Sequence, residues 1–162
     1  MARALIVGCG CRGRLLGERL LAKGWSVRGT SRRDDGLAAI EAAEIEPALA
    51  EPGRPGTLLD LVGDVTVVHW LLGSAEGEPA AIEAIHGPRL ERFMEKLVDT
   101  PVRGFVYEAA GRVPRRHLER GEEIVRAAAE TWRIPVEVVD ADPGDPREWA
   151  GEMVVATLRL VG

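Results

Sequence analysis

Apolar positions in this chain alternate between two patterns: short unbroken runs, and longer stretches in which they recur every three or four residues. The first pattern predicts strands buried on both faces and the second predicts helices packed on a sheet. Residues 3–7 (RALIV) form a first strand. A glycine-rich turn at 8–13 follows, and then a helix that begins near Gly13, carries Leu15, Leu16 and Leu20, and stops at Lys23-Gly24. Residues 25–30 make the second strand. Asp34 or Asp35 is placed to cap a short helix over 36–43, and 45–50 is a weak third strand in which Pro47 suits only a sheet edge. After a Pro/Gly loop and a short helix over 57–62, residues 64–72 (DVTVVHWLL) give the clearest strand of the chain.

The second half repeats the alternation. A loop over 73–79 leads to a helix over 89–99, whose Leu90, Phe93, Met94, Leu97 and Val98 share one face. Residues 102–109 are a fifth strand. A long helix over 115–132 should bury Ile124, Val125, Ala128, Ala129 and Trp132, and 136–139 is a sixth strand. Asp145-Pro146 caps a last helix that carries Trp149, Met153, Ala156 and Leu160. Alternating strands and helices predict an α/β fold, a doubly wound parallel sheet of about six strands with helices on both faces. At 162 residues, the length is that of one domain.

Charge and composition narrow the partners. The net charge of −5 and the absence of a basic cluster argue against nucleic acid, and no apolar run approaches the ~20 residues of a membrane span. A cytoplasmic location is expected. Cys9 and Cys11, two residues apart and the only cysteines, suit neither a local disulfide nor a tetrahedral metal site, so no metal is expected. Lowered thiol pKa values at a helix N-terminus would make them redox-responsive; the alternative is that small residues simply fit a tight turn.

Gly8-Cys9-Gly10-Cys11-Arg12-Gly13 has the spacing G-x-G-x-x-G between a strand and a helix. The first glycine permits the turn, the second admits a pyrophosphate to the backbone, and the third lets helix and strand pack closely. Amides at the helix N-terminus then face the anion. At the end of the second strand, where NAD and FAD sites place a carboxylate on the ribose, stand Thr30, Ser31, Arg32 and Arg33. Guanidinium and hydroxyl groups suit a 2′-phosphate, so the expected ligand is NADP, with NAD less favoured. The competing reading leaves Arg32 and Arg33 as solvated charges balanced by Asp34 and Asp35.

Residues 6–33, together with the Val-Val-His segment of the fourth strand and GFVYEAAG at 104–111, resemble the short-chain dehydrogenase/reductase superfamily, in particular extended and atypical NAD(P)-dependent epimerase/dehydratase-like proteins. The resemblance implies a Rossmann-like sheet with cofactor along the strand ends. It also implies a small-molecule substrate pocket beside the nicotinamide, with Gly73, Ser74 and residues 108–111 on that side. Pairing of copies through the helices at 89–99 and 115–132 is implied as well. Three positions depart from the pattern. Arg12 replaces an aliphatic residue, only Glu51 stands for the acidic residue after the third strand, and the catalytic Tyr and Lys four residues later are missing. The sole tyrosine, Tyr107, lies in a strand and is followed at that distance by Gly111; the only lysines are Lys23 and Lys96.

Of the histidines, His117 at the start of the long helix has a usable pKa and is the weak catalytic candidate. His69 is expected to be structural and His86 to lie in a loop. The favoured expectation is a non-catalytic cofactor-binding or redox-sensing module. The alternative is a small oxidoreductase or epimerase-like enzyme with other proton-transfer residues.

Overall fold

The computed structural model describes residues 2–162. In chain order its elements are β1 (Arg3–Val7), α1 (Cys11–Ala22), β2 (Ser26–Ser31), α2 (Asp34–Ala42), β3 (Glu46–Leu49), α3 (Pro55–Leu59) and β4 (Val67–Trp70). There follow α4 (Pro79–Ile85), α5 (Pro88–Leu97), β5 (Gly104–Glu108), α6 (Arg115–Trp132), β6 (Val136–Val139) and α7 (Pro146–Val161). All strand pairings are parallel, in the order β3-β2-β1-β4-β5-β6. The chain therefore leaves β1 in one direction for β2 and β3 and later returns to its other side. This reversal opens a crevice above the carboxyl ends of β1 and β4, which is where α/β sheets of this topology take ligands.

Alternation within the strands explains the burial on both faces. Leu5, Val7, Val68, Trp70, Phe105 and Tyr107 point toward α3, α4, α5 and α6. Ala4, Ile6, Val67 and Val106 point to the opposite face, where Leu16 and Leu20 of α1 meet Trp149 and Met153 of α7. His69 shares this second face and bonds Thr157 of α7 through Nε2 at 2.7 Å, the structural role expected of it. β3 is the sheet edge that Pro47 requires, with Pro47 opposite Gly29 of β2.

Several local expectations change. α1 begins at Cys11, two residues before Gly13, so Cys11 and Arg12 lie in its first turn while Cys9 precedes the Gly10 N-cap. Asp34 and Asp35 occupy the first turn of α2 instead of capping it; Arg33 is the N-cap and no side chain caps the helix. Their negative charge still favours the positive helix end. β4 is shorter than the apolar run around it. Between the loop expected over 73–79 and the helix expected over 89–99, residues 79–85 form α4, started by Pro79 and stopped at His86-Gly87. His86 lies in the turn between α4 and α5, beside Gly87-Pro88 as expected, and is fully buried there. Trp132, in the last turn of α6 before a left-handed Arg133, is 43% exposed instead of buried. Asp145 does cap α7, accepting from the Glu148 amide at 3.3 Å. Among the described residues no helix is long and apolar enough to cross a membrane.

Candidate functional site

The turn between β1 and α1 is built by the two neighbouring strands. Gly8 donates its amide to the Thr30 hydroxyl at 3.1 Å, and Cys9 donates to the Thr30 carbonyl at 3.0 Å. On the other side the Leu71 amide, just past β4, donates to Val7 at 3.0 Å. Gly8 has φ +81°, and a Cβ there would meet the Leu71 carbonyl oxygen at 2.6 Å, so the first glycine is required by the fold itself. A Cβ at Gly13 would stand 3.2 Å from Ile6 and 3.4 Å from Cys9 Sγ, which reflects the close approach of helix and strand that the third glycine permits.

Gly10 differs. Its φ of −86° and ψ of −156° suit any residue, and a Cβ at this position would meet nothing within 4 Å. The fold has no packing need for glycine at the helix N-cap, and the empty space opens into a cleft of about 470 Å³. That cleft runs from the glycine turn to the end of β2, and Gly8, Cys9, Gly10, Arg12, Arg14 and Thr30 line its inner part. Ser31, Arg32 and Arg33 line its outer part, opposite Leu72 and Ser74 of the segment after β4. Cys11, Gly13 and Gly73 do not line it; Cys11 and Gly13 border a smaller cavity of about 80 Å³ on the other side of the turn.

Two guanidinium groups stand at the mouth. Arg32 reaches the Glu76 carbonyl at 3.3 Å and the Glu51 carboxylate at 3.8 Å, while Arg33 pairs with Asp35 at 3.4 Å. These pairs are exposed by half or more on the arginine side, a setting in which ion pairs contribute little and exchange readily for a better anion. Ser31 Oγ turns back to the Arg33 backbone at 3.2 Å. Arg14 donates to Cys11 Sγ at 3.3 Å. Of the cysteines, Cys9 is buried, and loss of hydration pushes its thiol up to about 12, against a smaller opposing effect of Arg14.

Beyond β1 the strand ends are filled. Glu108, at the end of β5 and only 2% exposed, accepts from the Gly73 amide and from Trp149 Nε1, each at 2.9 Å. Burial holds its carboxyl above the usual range, although the Gly73 amide, Arg12 and Trp149 favour the charged form. Arg12 lies with its guanidinium carbon 5.9 Å from the Trp149 ring centroid, and its buried Nε has no hydrogen-bond partner. This contact of Arg12, Glu108 and Trp149 spans three elements, and only the lone carboxylate in an apolar strand signalled it in the sequence.

Tyr107 is fully buried in β5. His86 Nε2 donates to the Leu72 carbonyl at 2.9 Å, so its Nδ1 accepts from the Tyr107 hydroxyl at 2.7 Å. Burial raises the phenol and lowers His86 to about 4. His117, in the first turn of α6, lines neither cavity at the strand ends. Lys23 caps the far end of α1 and Lys96 lies in the last turn of α5. Among the described residues no group of His, Cys, Asp or Glu could hold a metal ion.

The strand order and the cleft define a Rossmann-type α/β fold. No protein-family model matches the chain, and no curated protein matches it. Solved structures of the short-chain dehydrogenase/reductase superfamily do share its fold. A UDP-glucuronic acid 4-epimerase from Bacillus cereus, in complex with a fluorinated UDP-sugar and NAD, is 15% identical with a TM-score of 0.67, over 84% of this chain and 55% of that one. A short-chain dehydrogenase/reductase superfamily protein from Agrobacterium tumefaciens with bound NAD is 19% identical with a TM-score of 0.69, over 84% and 48%. A UDP-glucose 4-epimerase from Thermotoga maritima with UDP-glucose is 13% identical with a TM-score of 0.68, over 84% and 54%. The chain thus spans about half the length of these proteins, and at such identities the likeness establishes the fold.

Proposed function

We propose that this chain is a nicotinamide-dinucleotide-binding module that favours NADP(H) and lacks the proton-transfer machinery of short-chain dehydrogenases. The observation that carries the reading is the vacant space at Gly10, which adjoins free helix N-terminal amides and continues into a cleft ending at Arg32 and Arg33. A pyrophosphate fits the first and a 2′-phosphate the second. Arg12, with an unpartnered Nε beside the same turn, adds positive charge where an anion would sit. The structural neighbours with bound NAD support a dinucleotide; the preference for NADP rests on the two arginines of this chain.

Against catalysis stands the chemistry of Tyr107, whose hydroxyl is committed to His86 in the core, with no lysine near it. His117 offers no replacement at the cleft. The test is calorimetric titration with NADPH and NADH, in wild type and in Arg32→Ala. Loss of a charge-assisted phosphate contact weakens binding roughly 10- to 100-fold, and only for NADPH. Equal loss for both cofactors would show that Arg32 does not read the 2′-phosphate.

A further inference from the structure

The cleft lies on one side of the crossover between β1 and β4. Its walls come from the glycine turn, the ends of β2 and β3, α2 and the segment after β4; no residue of β5, β6 or the chain following them takes part. When a dinucleotide lies across such a crevice, the ribose read at the end of β2 belongs to adenosine and the pyrophosphate sits at the α1 N-terminus. The second nucleoside must then extend past β1 toward β4 and β5. In this chain that direction leads to the cavity of about 80 Å³ between the turn, Glu108 and Trp149.

Its walls are fixed by several independent contacts. Glu108 uses both oxygens, on Gly73 and on Trp149, and Trp149 is 1% exposed. The chain after β5 is strapped onto the segment after β4: Val113 donates to the Gly73 carbonyl at 2.9 Å and Arg112 to the Ser74 hydroxyl at 3.1 Å. Gly73 and Gly111 pack backbone to backbone so closely that a methyl group on Gly111 would strike the Gly73 carbonyl, and one on Gly73 the Ala110 carbonyl. Opening a second seat would break these bonds, expose an indole and strand a buried carboxylate, each of which costs free energy.

We propose that the site grips a ribose-phosphorylated adenosine diphosphate and leaves the nicotinamide riboside of a bound dinucleotide outside, in solvent. The inference rests on the nucleotide-binding reading above and deepens it. The glycine turn, Arg32 and Arg33 make the contacts, while Glu108 and Trp149 stop the ligand at its pyrophosphate.

The experiment compares NADPH with 2′,5′-ADP by calorimetry on the full chain and follows nicotinamide emission of NADPH at saturation. Expected are dissociation constants within tenfold of each other and an unshifted emission band. If NADPH binds more than tenfold tighter (about 1.4 kcal/mol), or its emission moves to the blue on binding, the nicotinamide has a seat and the proposal is overturned. If neither ligand binds at millimolar concentration, the nucleotide-binding reading itself falls, and this inference with it.

Discussion

The two sides of the crevice share one sheet edge and differ in what the chain has done with it. On the β2 side the strand ends carry hydroxyls and exposed arginines around an open cleft, and the tight packing of Gly8, Gly13 and Gly29 lies beneath the turn. On the β5 side Glu108, Trp149 and the interlocked segments after β4 and β5 satisfy one another. The difference teaches that a parallel sheet provides a crevice by topology alone, whereas its use depends on whether side chains consume the groups that line it. Exposed ion pairs at Arg32 and Arg33 leave binding capacity to spare. A buried carboxylate with two donors leaves almost none.

The contrast can be broken most forcefully at Trp149. Trp149→Ala removes a buried indole and a donor to Glu108, and should cost roughly 3–5 kcal/mol in urea unfolding. A loss below about 1 kcal/mol would mean that the filled side is not held together as described.

Acid should attack the same half. His69 and His86 are kept neutral by burial, each with a pKa of about 4, against about 6.5 in an unfolded chain. The unfolded chain therefore takes up more protons between pH 6.5 and 4, and stability that is complete above pH 6.5 is lost as the pH falls through that window. Each shift corresponds to about 3 kcal/mol at its limit below pH 4. Glu108, whose carboxyl is raised, works in the opposite direction and only partly offsets two histidines. A urea midpoint that does not fall between pH 7 and pH 4.5 would contradict the burial of neutral imidazoles, and His86→Gln should flatten the profile.

On the open side the largest separation between binding and folding is expected at the glycines. Gly10→Ala should leave the melting temperature within about 2 °C of wild type, because its Cβ meets nothing within 4 Å. Binding of NADPH should weaken at least tenfold. Gly8→Ala reverses the pattern and loses stability, since the Leu71 carbonyl stands 2.6 Å from the new methyl group. Normal affinity in Gly10→Ala would place the phosphates elsewhere.

Much of the open side was legible in the sequence, because its parts are local. Gly8 to Gly13 and Thr30 to Arg33 are short segments whose meaning comes from the strand before and the helix after, and both lie where the alternation of apolar runs puts them. The bounds of α6 follow from a strong three-to-four periodicity over 18 residues. The filled side was harder, for reasons of distance and length. Glu108 meets Trp149 41 residues later, and His86 meets Tyr107 across 21. α4 has seven residues and buries only Ile82 and Ile85, too little for periodicity, although Pro79 and Gly87 marked its ends. Trp132 had the right spacing for burial but sits in the last turn of α6, beside the left-handed Arg133, and stays 43% exposed.

The position of Cys9 gives the protein an unplanned chemical handle. Its sulfur fills the space beside Gly29, where a Cβ would stand 2.7 Å away, and with its thiol pushed up to about 12 almost no thiolate forms at neutral pH. Cys11 is exposed. An alkylating dye should therefore label one site per chain, countable by intact mass, at the first residue of α1. The label would lie one residue from Gly10, and nucleotide arriving at the turn could be read as a change in its emission without any substitution in the chain.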